Sequence, residues 1–437
     1  MREDPIDRAK EVGILGPLLF FREVEGIRET GFRPLFSFGE DKTVDQSWLD
    51  LLYPLSTFRR DEEDRRYQFL QLFSTRSEPR ARGVTLFPLL FYKSPIDEEP
   101  GDFAILPFGG TLRGRFGIDE MDIIMMPLYL KVRRKEAVTQ YFIWPLFSYT
   151  SDEKQGGIRL FPLYGESVKE GVFERRFALF PIFFHIKSGL DTENPAETLA
   201  ILPLYAKRRS PKRDYVSILW PLFSKIDERE GGYVRWDYPF PFLSHATGPG
   251  RRMVRLFPLF GRDERKETKT VFLLWPAYIG TWSERPEVTT IRHRFFLWLY
   301  SDLWKEDREE EVTTRRIDAW PFFTYSLDEE GMINFQLLAL LEPFFPGNRG
   351  VLRNWSPLWG LYRYRRDTLE DITVHSLLWN LMRVERGVDF SRWEILGPLI
   401  LSRSKGDERE FSILRGLIGF GRKGERSFFK IFYIRMG

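Results

Sequence analysis

Prolines stand in the middle of apolar, strand-like segments at regular intervals along this chain. RRFALFPIFFHIKS (residues 175–188) and VSILWPLFSK (residues 216–225) are rich in the aromatic and β-branched residues that favour strands. Proline has no N–H to donate to a neighbouring strand, and central strands therefore normally exclude it. Any fold for this chain must place each proline where the missing hydrogen bond costs little.

The proline-centred segments form a repeat with a common spacing of about 17–22 residues, which suits one long strand plus a turn. Charged, turn-rich stretches such as SDEKQGG (residues 151–157) separate them. The repeated prolines are Pro17, Pro34, Pro54, Pro88, Pro107, Pro127, Pro145, Pro162, Pro181, Pro203, Pro221, Pro258, Pro276, Pro321, Pro357 and Pro398.

This repeat predicts an all-β protein. We expect an antiparallel meander of about 20–23 strands built from a ~19-residue proline-centred repeat, closed or nearly closed as a large barrel. No composition shift marks an internal boundary, so residues 1–437 are predicted to form one repetitive β domain. LLALLEPFF (residues 337–345) is a candidate for a short helical turn.

If each repeat is a single strand, its side chains alternate between two faces. The face of the proline is apolar over roughly 20–25 Å and carries aromatic residues such as Phe147 and Phe183. Small residues such as Ser148 and Gly165 lie on the opposite face.

Two architectures fit this asymmetry. In an outer-membrane barrel the proline face would meet lipid, with an apolar height near the expected ~25 Å and aromatic girdles at both interfaces. In a soluble sheet protein the same face would pack against a second layer. The hydrogen bonds lost at the prolines weigh against the barrel, since lipid cannot replace them.

The composition excludes several classes of protein. Hydrophobic residues make up 43% of the chain and charged residues 30%, which excludes a disordered protein. The net charge of +3 comes from 66 basic and 63 acidic residues that are intermixed, so no nucleic-acid partner is predicted.

The absence of cysteine excludes disulfides, Cys-ligated zinc and a thiol nucleophile. The N-terminus has no signal-peptide pattern, and no apolar run is long enough for a membrane-spanning helix.

Candidate site residues give no coherent chemistry. The histidines have no metal-ligand spacing, and paired acids recur at predicted turns, as solvated groups do. FGGTLRGRFG (residues 108–117) lacks the strand–helix context of a phosphate loop and is predicted to be a turn. Tryptophans that directly precede a proline are predicted to pack in a core rather than to stack on sugars or bases. The histidines are His185, His245, His293 and His375, the acidic pairs include Asp152–Glu153, Asp227–Glu228 and Asp263–Glu264, and the tryptophans are Trp144, Trp220, Trp275 and Trp320.

We therefore predict no catalytic residue, no cofactor-binding residue, no metal-binding residue and no cofactor. The chain is expected not to be an enzyme.

The repeat units LWPLF, LFPLF and ILPLY, with ALLEPFFPGNRG, RNWSPLW and HSLLWN near the C-terminus, carry a resemblance. They resemble a group of uncharacterised Gram-negative, delta-proteobacterial proteins with WPLF/FPLF-type proline-centred repeats. The resemblance covers most of the chain and implies an envelope location, but it implies no activity, cofactor or site residue. An exported member of that group would need the signal peptide that is not visible in this chain.

The expected function is a non-enzymatic cell-envelope β-barrel or barrel-like protein. It would pass solutes or lipids or give structural support, with membrane lipid as its partner and the outer membrane as its location. The alternatives are a soluble or periplasmic β-repeat scaffold that binds a protein partner through its sheet surface, or a polysaccharide-acting enzyme. For the scaffold, the expected location is the cytoplasm or the periplasm.

Overall fold

The chain forms two compact units. The computed structural model describes residues 2–95 and 100–436. The first unit consists of Met1–Glu62 and Pro276–Gly437, and the second unit is Glu63–Trp275. The sequence-based assignment of residues 1–437 to one repetitive domain stays a prediction.

Short strands make up almost all of both units. In Met1–Glu62 the strands are β1 (Arg2–Glu3), β2 (Lys10–Ile14), β3 (Leu19–Val24), β4 (Ile27–Phe32), β5 (Phe36–Asp41), β6 (Gln46–Leu51) and β7 (Ser56–Asp61). In Glu63–Trp275 they are β8 (Asp64–Phe69), β9 (Phe73–Ser77), β10 (Arg82–Leu86), β11 (Leu90–Lys93), β12 (Asp102–Ile105), β13 (Gly109–Arg115), β14 (Ile118–Ile124), β15 (Tyr129–Arg134), β16 (Ala137–Phe142), β17 (Phe147–Ser151), β18 (Gln155–Leu160), β19 (Tyr164–Lys169), β20 (Phe173–Ala178), β21 (Phe183–Ser188), β22 (Ala196–Ile201), β23 (Tyr205–Arg209), β24 (Arg213–Ile218), β25 (Phe223–Glu228), β26 (Tyr233–Asp237), β27 (Leu243–Thr247), β28 (Arg251–Leu256), β29 (Phe260–Arg265) and β30 (Thr268–Leu273).

The C-terminal part of the first unit adds strands and the only helices among the described residues. Its strands are β31 (Tyr278–Glu284), β32 (Val288–Phe295), β33 (Tyr300–Asp307), β34 (Val312–Ala319), β35 (Phe323–Leu327), β36 (Met332–Leu337), β37 (Tyr362–Asp367), β38 (Ile372–Leu377), β39 (Met382–Arg386), β40 (Phe390–Ile395), β41 (Ile400–Lys405), β42 (Glu408–Ile413), β43 (Ile418–Lys423), β44 (Arg426–Ile431) and β45 (Ile434–Met436). The helices are α1 (Arg349–Asn354), α2 (Ser356–Trp359) and two 3₁₀ turns, Gly397–Leu399 and Leu414–Gly416.

The strands form an antiparallel meander, as the sequence predicts. Strands that are consecutive in the chain pair antiparallel through β1–β7, β8–β30 and β31–β45. Within the described residues β1 pairs with β2 and β45 with β44, and no hydrogen-bonded ladder joins β1 to β45. Backbone pairing therefore does not close the sheet.

The repeated prolines lie in turns between strands, except Pro357 in α2 and Pro398 in a 3₁₀ turn, and this corrects the predicted strand count. β16 ends at Phe142, the turn contains the cis bond Trp144–Pro145, and β17 begins at Phe147. Phe142 and Phe147 are cross-strand partners. Each repeat is thus a hairpin of two short strands rather than one long strand, so the described chain has 45 strands instead of 20–23. A proline in the turn removes no ladder hydrogen bond, which resolves the conflict raised by the sequence.

Successive turns of a meander lie at opposite ends of the strands, so the hairpins have two edges. In each unit the turns that contain a proline of the repeat lie at one edge, called here the apolar edge of that unit. The intervening turns, such as Glu25–Gly26 and Lys135–Glu136, occupy the other, called here the charged edge. In the first unit the apolar edges of both chain segments meet, since the Cβ of Trp379 lies 3.9 Å from the position a Cβ would take at Gly16.

The inner face of the sheet is lined with small and apolar residues. Ser148 and Ala206 are 5% exposed and Ser217 is 1% exposed, while the neighbouring strand residue Tyr149 is 50% exposed. The largest buried apolar cluster lies on β11–β15 and contains Phe91, Ala104, Leu112, Ile118, Ile123, Leu130 and Val132. The small residues that the sequence places on one face are therefore the buried ones.

Two glycines of the inner face make room for aromatic rings. Gly165 is the cross-strand partner of Phe177, and Gly261 that of Phe272. A Cβ at either glycine would lie 2.1 or 2.0 Å from the ring atoms. The missing side chain allows each ring to lie flat over the neighbouring strand.

The helices bind to the N-terminal strands of the first unit. Asn348 caps α1 by accepting a hydrogen bond from Val351 N at 3.0 Å, and its side chain also accepts from the Tyr53 hydroxyl at 3.1 Å. Trp355 Nε1 donates to the carbonyl of Tyr53 at 2.6 Å. LLALLEPFF contains one hydrogen-bonded turn, in which the carbonyl of Leu341 accepts from Phe344 N at 3.1 Å and from Phe345 N at 3.0 Å. The α-helices themselves begin only at Arg349.

Candidate functional site

Large apolar side chains occupy strained backbone positions at the apolar edge. Six residues that lie two positions before a proline have positive φ angles of 43–50° and are 40–64% exposed. In five of these turns their carbonyl accepts a hydrogen bond from the residue three positions later at 2.8–2.9 Å. The six residues are Leu52, Met125, Ile143, Leu179, Leu219 and Leu274.

Turns of the charged edge provide an internal comparison. They also use positive φ, but the residues there are mainly glycines or charged residues, for example Gly26, Gly171, Glu62 and Lys135. The left-handed region costs a non-glycine residue roughly 1–2 kcal/mol, and bulky or β-branched residues are rare in it. Local folding therefore does not explain the Leu, Met and Ile side chains of the apolar edge, and exposed apolar groups at strained positions indicate a functional surface.

Tryptophans reinforce this surface. Trp144, Trp220 and Trp275 lie in the proline turns and are 45%, 44% and 42% exposed. The prediction that they pack in a core is wrong, because it assumed that the proline and its neighbours were inside a strand. Trp320 Nε1 donates to the carbonyl of Leu340 at 3.1 Å.

The apolar band is shallow. The outer-face residues nearest the turns, such as Ile218 and Phe223, are apolar and exposed. The next outer-face positions are mixed, with Lys225, Lys207 and Arg262 beside exposed apolar residues such as Tyr149 and Val254. Farther rows contain ion pairs such as Lys187–Glu174 at 3.3 Å. A turn plus one or two strand residues gives a band of about 10 Å. The predicted height of 20–25 Å is wrong because the chain reverses at each proline and the two halves lie side by side.

The other sequence candidates are in ordinary structural contacts. His185 bonds to Glu197 at 2.9 Å, and the hydroxyls of Tyr278 and Tyr362 lie 2.9 Å from His293 Nδ1 and His375 Nδ1. His245 lies on β27, where its cross-strand partners are Trp236 and Val254. Burial and the charge of Arg386 lower the pKa of His375. No group of His, Asp and Glu suited to a metal ion occurs among the described residues.

One acidic pair lies at a turn as predicted, whereas the other two pairs and the glycine-rich segment do not. Asp152–Glu153 lies at the charged edge, whereas Asp227–Glu228 and Asp263–Glu264 are in β25 and β29. Residues 108–117 contain β13 (residues 109–115), with turn residues only at 108 and 116–117. Arg115 in this segment binds Asp102 at 3.0 Å.

A cavity of about 950 Å³ lies in the first unit between the N-terminal strands and β37–β40. Eight arginines and five carboxylates line it. Its apolar-edge end is lined by turn residues such as Gly16, Pro17 and Trp379. No local pattern in the sequence indicates this cavity, because its walls come from residues more than 300 positions apart.

Away from the apolar edge, carboxylates bind the arginines of the cavity. Asp4 accepts from Arg383 at 2.7 Å and also binds Arg365, and Asp7 binds Arg365 at 2.8 Å and Arg22 at 3.0 Å. Burial acts to raise the pKa of Asp4, but the charges of Arg365 and Arg383 and the hydrogen bonds lower it to about 2.

We expect Asp4 to make the stability of the protein depend on acid pH. Since the pKa is lowered from 3.8 to about 2 in the folded state, the contribution is complete above pH 4 and is lost as the pH falls towards 2. The loss is expected to be about 2 kcal/mol. Free energies of unfolding measured from pH 5 to pH 2 test this, and Asp4→Asn should remove that part of the pH dependence. The exposed control Asp389→Asn should retain it, and identical pH curves for Asp4→Asn and the wild type would contradict the assignment.

Three lining arginines have no carboxylate partner within bonding distance among the described residues. Arg33 is 7% exposed and donates to the carbonyls of Arg353 at 2.6 Å and Pro17 at 2.9 Å, with its guanidinium 3.6 Å above the ring of Phe20. The Nε of Arg363 is buried without a hydrogen-bond partner. Arg349 is exposed.

The electrostatics of the buried Arg33 and the half-buried Arg363 agree with this geometry. Burial lowers the pKa of Arg33 to about 10, Glu11 opposes the shift, and the charge of Arg363 adds to it. Burial also lowers the pKa of Arg363. Two guanidinium groups thus repel each other at the same end of the cavity.

Comparisons with known proteins give no assignment. No protein-family description matches the chain, and no curated protein matches it. No helix among the described residues combines the length and apolar character needed to cross a bilayer.

Proposed function

We propose that this protein attaches to the surface of a lipid bilayer through its apolar edge. The observation that carries the proposal is the set of six exposed Leu, Met and Ile residues held at positive φ in the proline turns. The left-handed backbone at these residues lowers the free energy of unfolding, so we expect their side chains to have a role that compensates for it. Insertion between the headgroups and acyl chains of a membrane is such a role.

The depth of the apolar band fits attachment rather than crossing. A band of about 10 Å corresponds to the 5–10 Å that interfacial segments bury, whereas crossing needs about 25 Å or more. Tryptophans are the side chains most typical of the interface between headgroups and acyl chains. Lys207, Lys225 and Arg262, one row behind the turns, would then lie at the level of the lipid headgroups.

The setting we propose is the envelope of a Gram-negative bacterium, on the basis of the resemblance to delta-proteobacterial repeat proteins. The role is structural, with membrane lipid as the partner. Passage of solutes or lipids through the protein is not part of this proposal, because the shallow band does not support crossing.

Flotation with phosphatidylcholine vesicles tests the proposal. We expect the protein to float with the vesicles, and we expect its tryptophan fluorescence to be quenched more by lipids brominated near the headgroup than by lipids brominated near the chain end. Failure to float would contradict attachment and would favour an apolar edge that docks a protein partner. Stronger quenching from the chain end would instead indicate crossing.

A further inference from the structure

The first unit contains a buried cationic site that the proposed membrane attachment does not use. Arg33 and Arg363 lie in the cavity near its apolar-edge end, and neither bonds to a carboxylate of the described residues. Burying a positive charge without a counter-charge is unfavourable. Arg33 is buried and bonds only to carbonyls, and the half-buried Arg363 has a buried Nε without an acceptor, so the pair is suited to an anion.

The carboxylates nearby leave this charge uncompensated. Eight arginines and five carboxylates line the cavity, and ion pairs account for Arg22, Arg353, Arg365, Arg383 and Arg392. Glu11 acts on both Arg33 and Arg363 through its charge, Glu29 acts on Arg33 and Glu342 acts on Arg363. Among the described residues none of these carboxylates accepts a hydrogen bond from Arg33 or Arg363. The excess of positive charge therefore belongs to Arg33, Arg363 and the exposed Arg349.

The lining residues and the volume of the cavity indicate which kind of anion would bind. Guanidinium groups bind phosphate through paired N–H donors, and two of them can hold one phosphate. Ser376 and Asn380, which also line the cavity, offer further polar groups. A volume of about 950 Å³ far exceeds one phosphate, and the same wall includes apolar residues such as Leu352, Leu381 and Leu396.

We propose that this cavity binds the phosphate group of an amphiphile between Arg33 and Arg363, with the apolar part of the ligand directed to the apolar edge. Trp379 is 37% exposed and Leu396 is 54% exposed, and both line the cavity at this edge. An acyl chain leaving the cavity there would remain in contact with apolar side chains. The inference goes beyond membrane attachment, because it concerns a soluble ligand and needs no bilayer.

Calorimetric titration of the whole protein tests the site with two soluble probes. Dihexanoyl phosphatidic acid, kept below its micelle concentration, carries the phosphate with short acyl chains, and inorganic phosphate carries the anion alone. We expect the first to bind at least tenfold more tightly. Equal affinity for both probes would contradict an amphiphile as the ligand and would leave a site for free phosphate. If neither probe binds, the proposal as a whole is wrong.

Two variants locate the binding in the cavity. Arg33→Gln and Arg363→Gln are each expected to weaken binding of dihexanoyl phosphatidic acid 10- to 100-fold. Arg363→Gln should also raise or preserve the midpoint of thermal unfolding, because it removes a half-buried charge without a partner. The matched control is Arg285→Gln, an exposed arginine at the charged edge of the same unit, and it should bind like the wild type.

The result for Arg363→Gln is decisive when that variant is folded. Unchanged affinity would place the ligand elsewhere and overturn the proposal. Vesicle flotation with phosphatidylcholine depends on the apolar edge and not on these arginines. A failure of membrane attachment is therefore distinguishable from a failure of phosphate binding.

Discussion

A fourfold variant of the apolar edge, Met125→Asn, Ile143→Asn, Leu179→Asn and Leu219→Asn, is expected to lose about 1,000-fold in affinity for phosphatidylcholine vesicles. The four side chains are 46–58% exposed and are available to enter lipid. Insertion of each is worth about 1 kcal/mol from the apolar area removed from water, and about 1.4 kcal/mol corresponds to tenfold. Flotation at a series of lipid concentrations measures the change.

The same variant is expected to unfold no more easily than the wild type. Asparagine tolerates the left-handed conformation better than Met, Ile or Leu, so each exchange should relieve up to about 1 kcal/mol of strain. Lower stability together with weaker vesicle binding would mean that these side chains serve folding, which would remove the main argument for membrane attachment.

A matched control uses the charged edge. Arg8, Glu25, Glu62 and Lys135 also have positive φ angles, and changing all four to Asn leaves the net charge unaltered. We expect this control to float like the wild type. If it lost binding as the apolar-edge variant does, the effect would come from the turns in general and not from their apolar side chains.

The second large effect is expected from Asp50→Ala in β6, which should destabilise the first unit by about 3–5 kcal/mol, as is typical when one partner of a buried ion pair is removed. Asp50 is fully buried and lies 2.6 Å from Arg59 and 3.3 Å from Arg353, and it accepts from Asn354 at 3.1 Å. Without it, Asn354 of α1 loses its side-chain hydrogen bond to β6, and of its ion pairs Arg353 keeps only the one with Glu29 at 2.9 Å.

Denaturant unfolding and hydrogen exchange together test this role. We expect the free energy of unfolding to fall and the amides of residues 349–359 to exchange faster. Asp50→Asn should be intermediate, because it keeps one acceptor oxygen but loses the charge and the second acceptor. The exposed residue Asp61 serves as the control, and Asp61→Ala should change stability by less than about 0.5 kcal/mol. Unchanged exchange in residues 349–359 of Asp50→Ala would show that α1 is held by its other contacts.

The predicted position of the prolines within strands was wrong, although the sequence around each proline indicated a turn. ILWPLF (residues 218–223) is apolar at every position, whereas a strand with one buried face alternates. An unbroken apolar run around a proline is what an exposed apolar turn requires. With the proline placed at the centre of a single strand, the predicted strand count is half the observed one and the predicted apolar band is twice as high. The same placement puts Trp144, Trp220 and Trp275 in a core.

The sequence alone determined the all-β class, the antiparallel meander and the alternation of apolar and charged segments. These follow from short-range patterns, because strand propensity, turn residues and the two-residue period act between neighbours in the chain. Only the tertiary structure decided which face is buried and where the arginine-lined cavity lies. Asp4 and Arg383 are 379 positions apart, and no local preference encodes that they meet, since their contact exists only after the two ends of the chain have packed against each other.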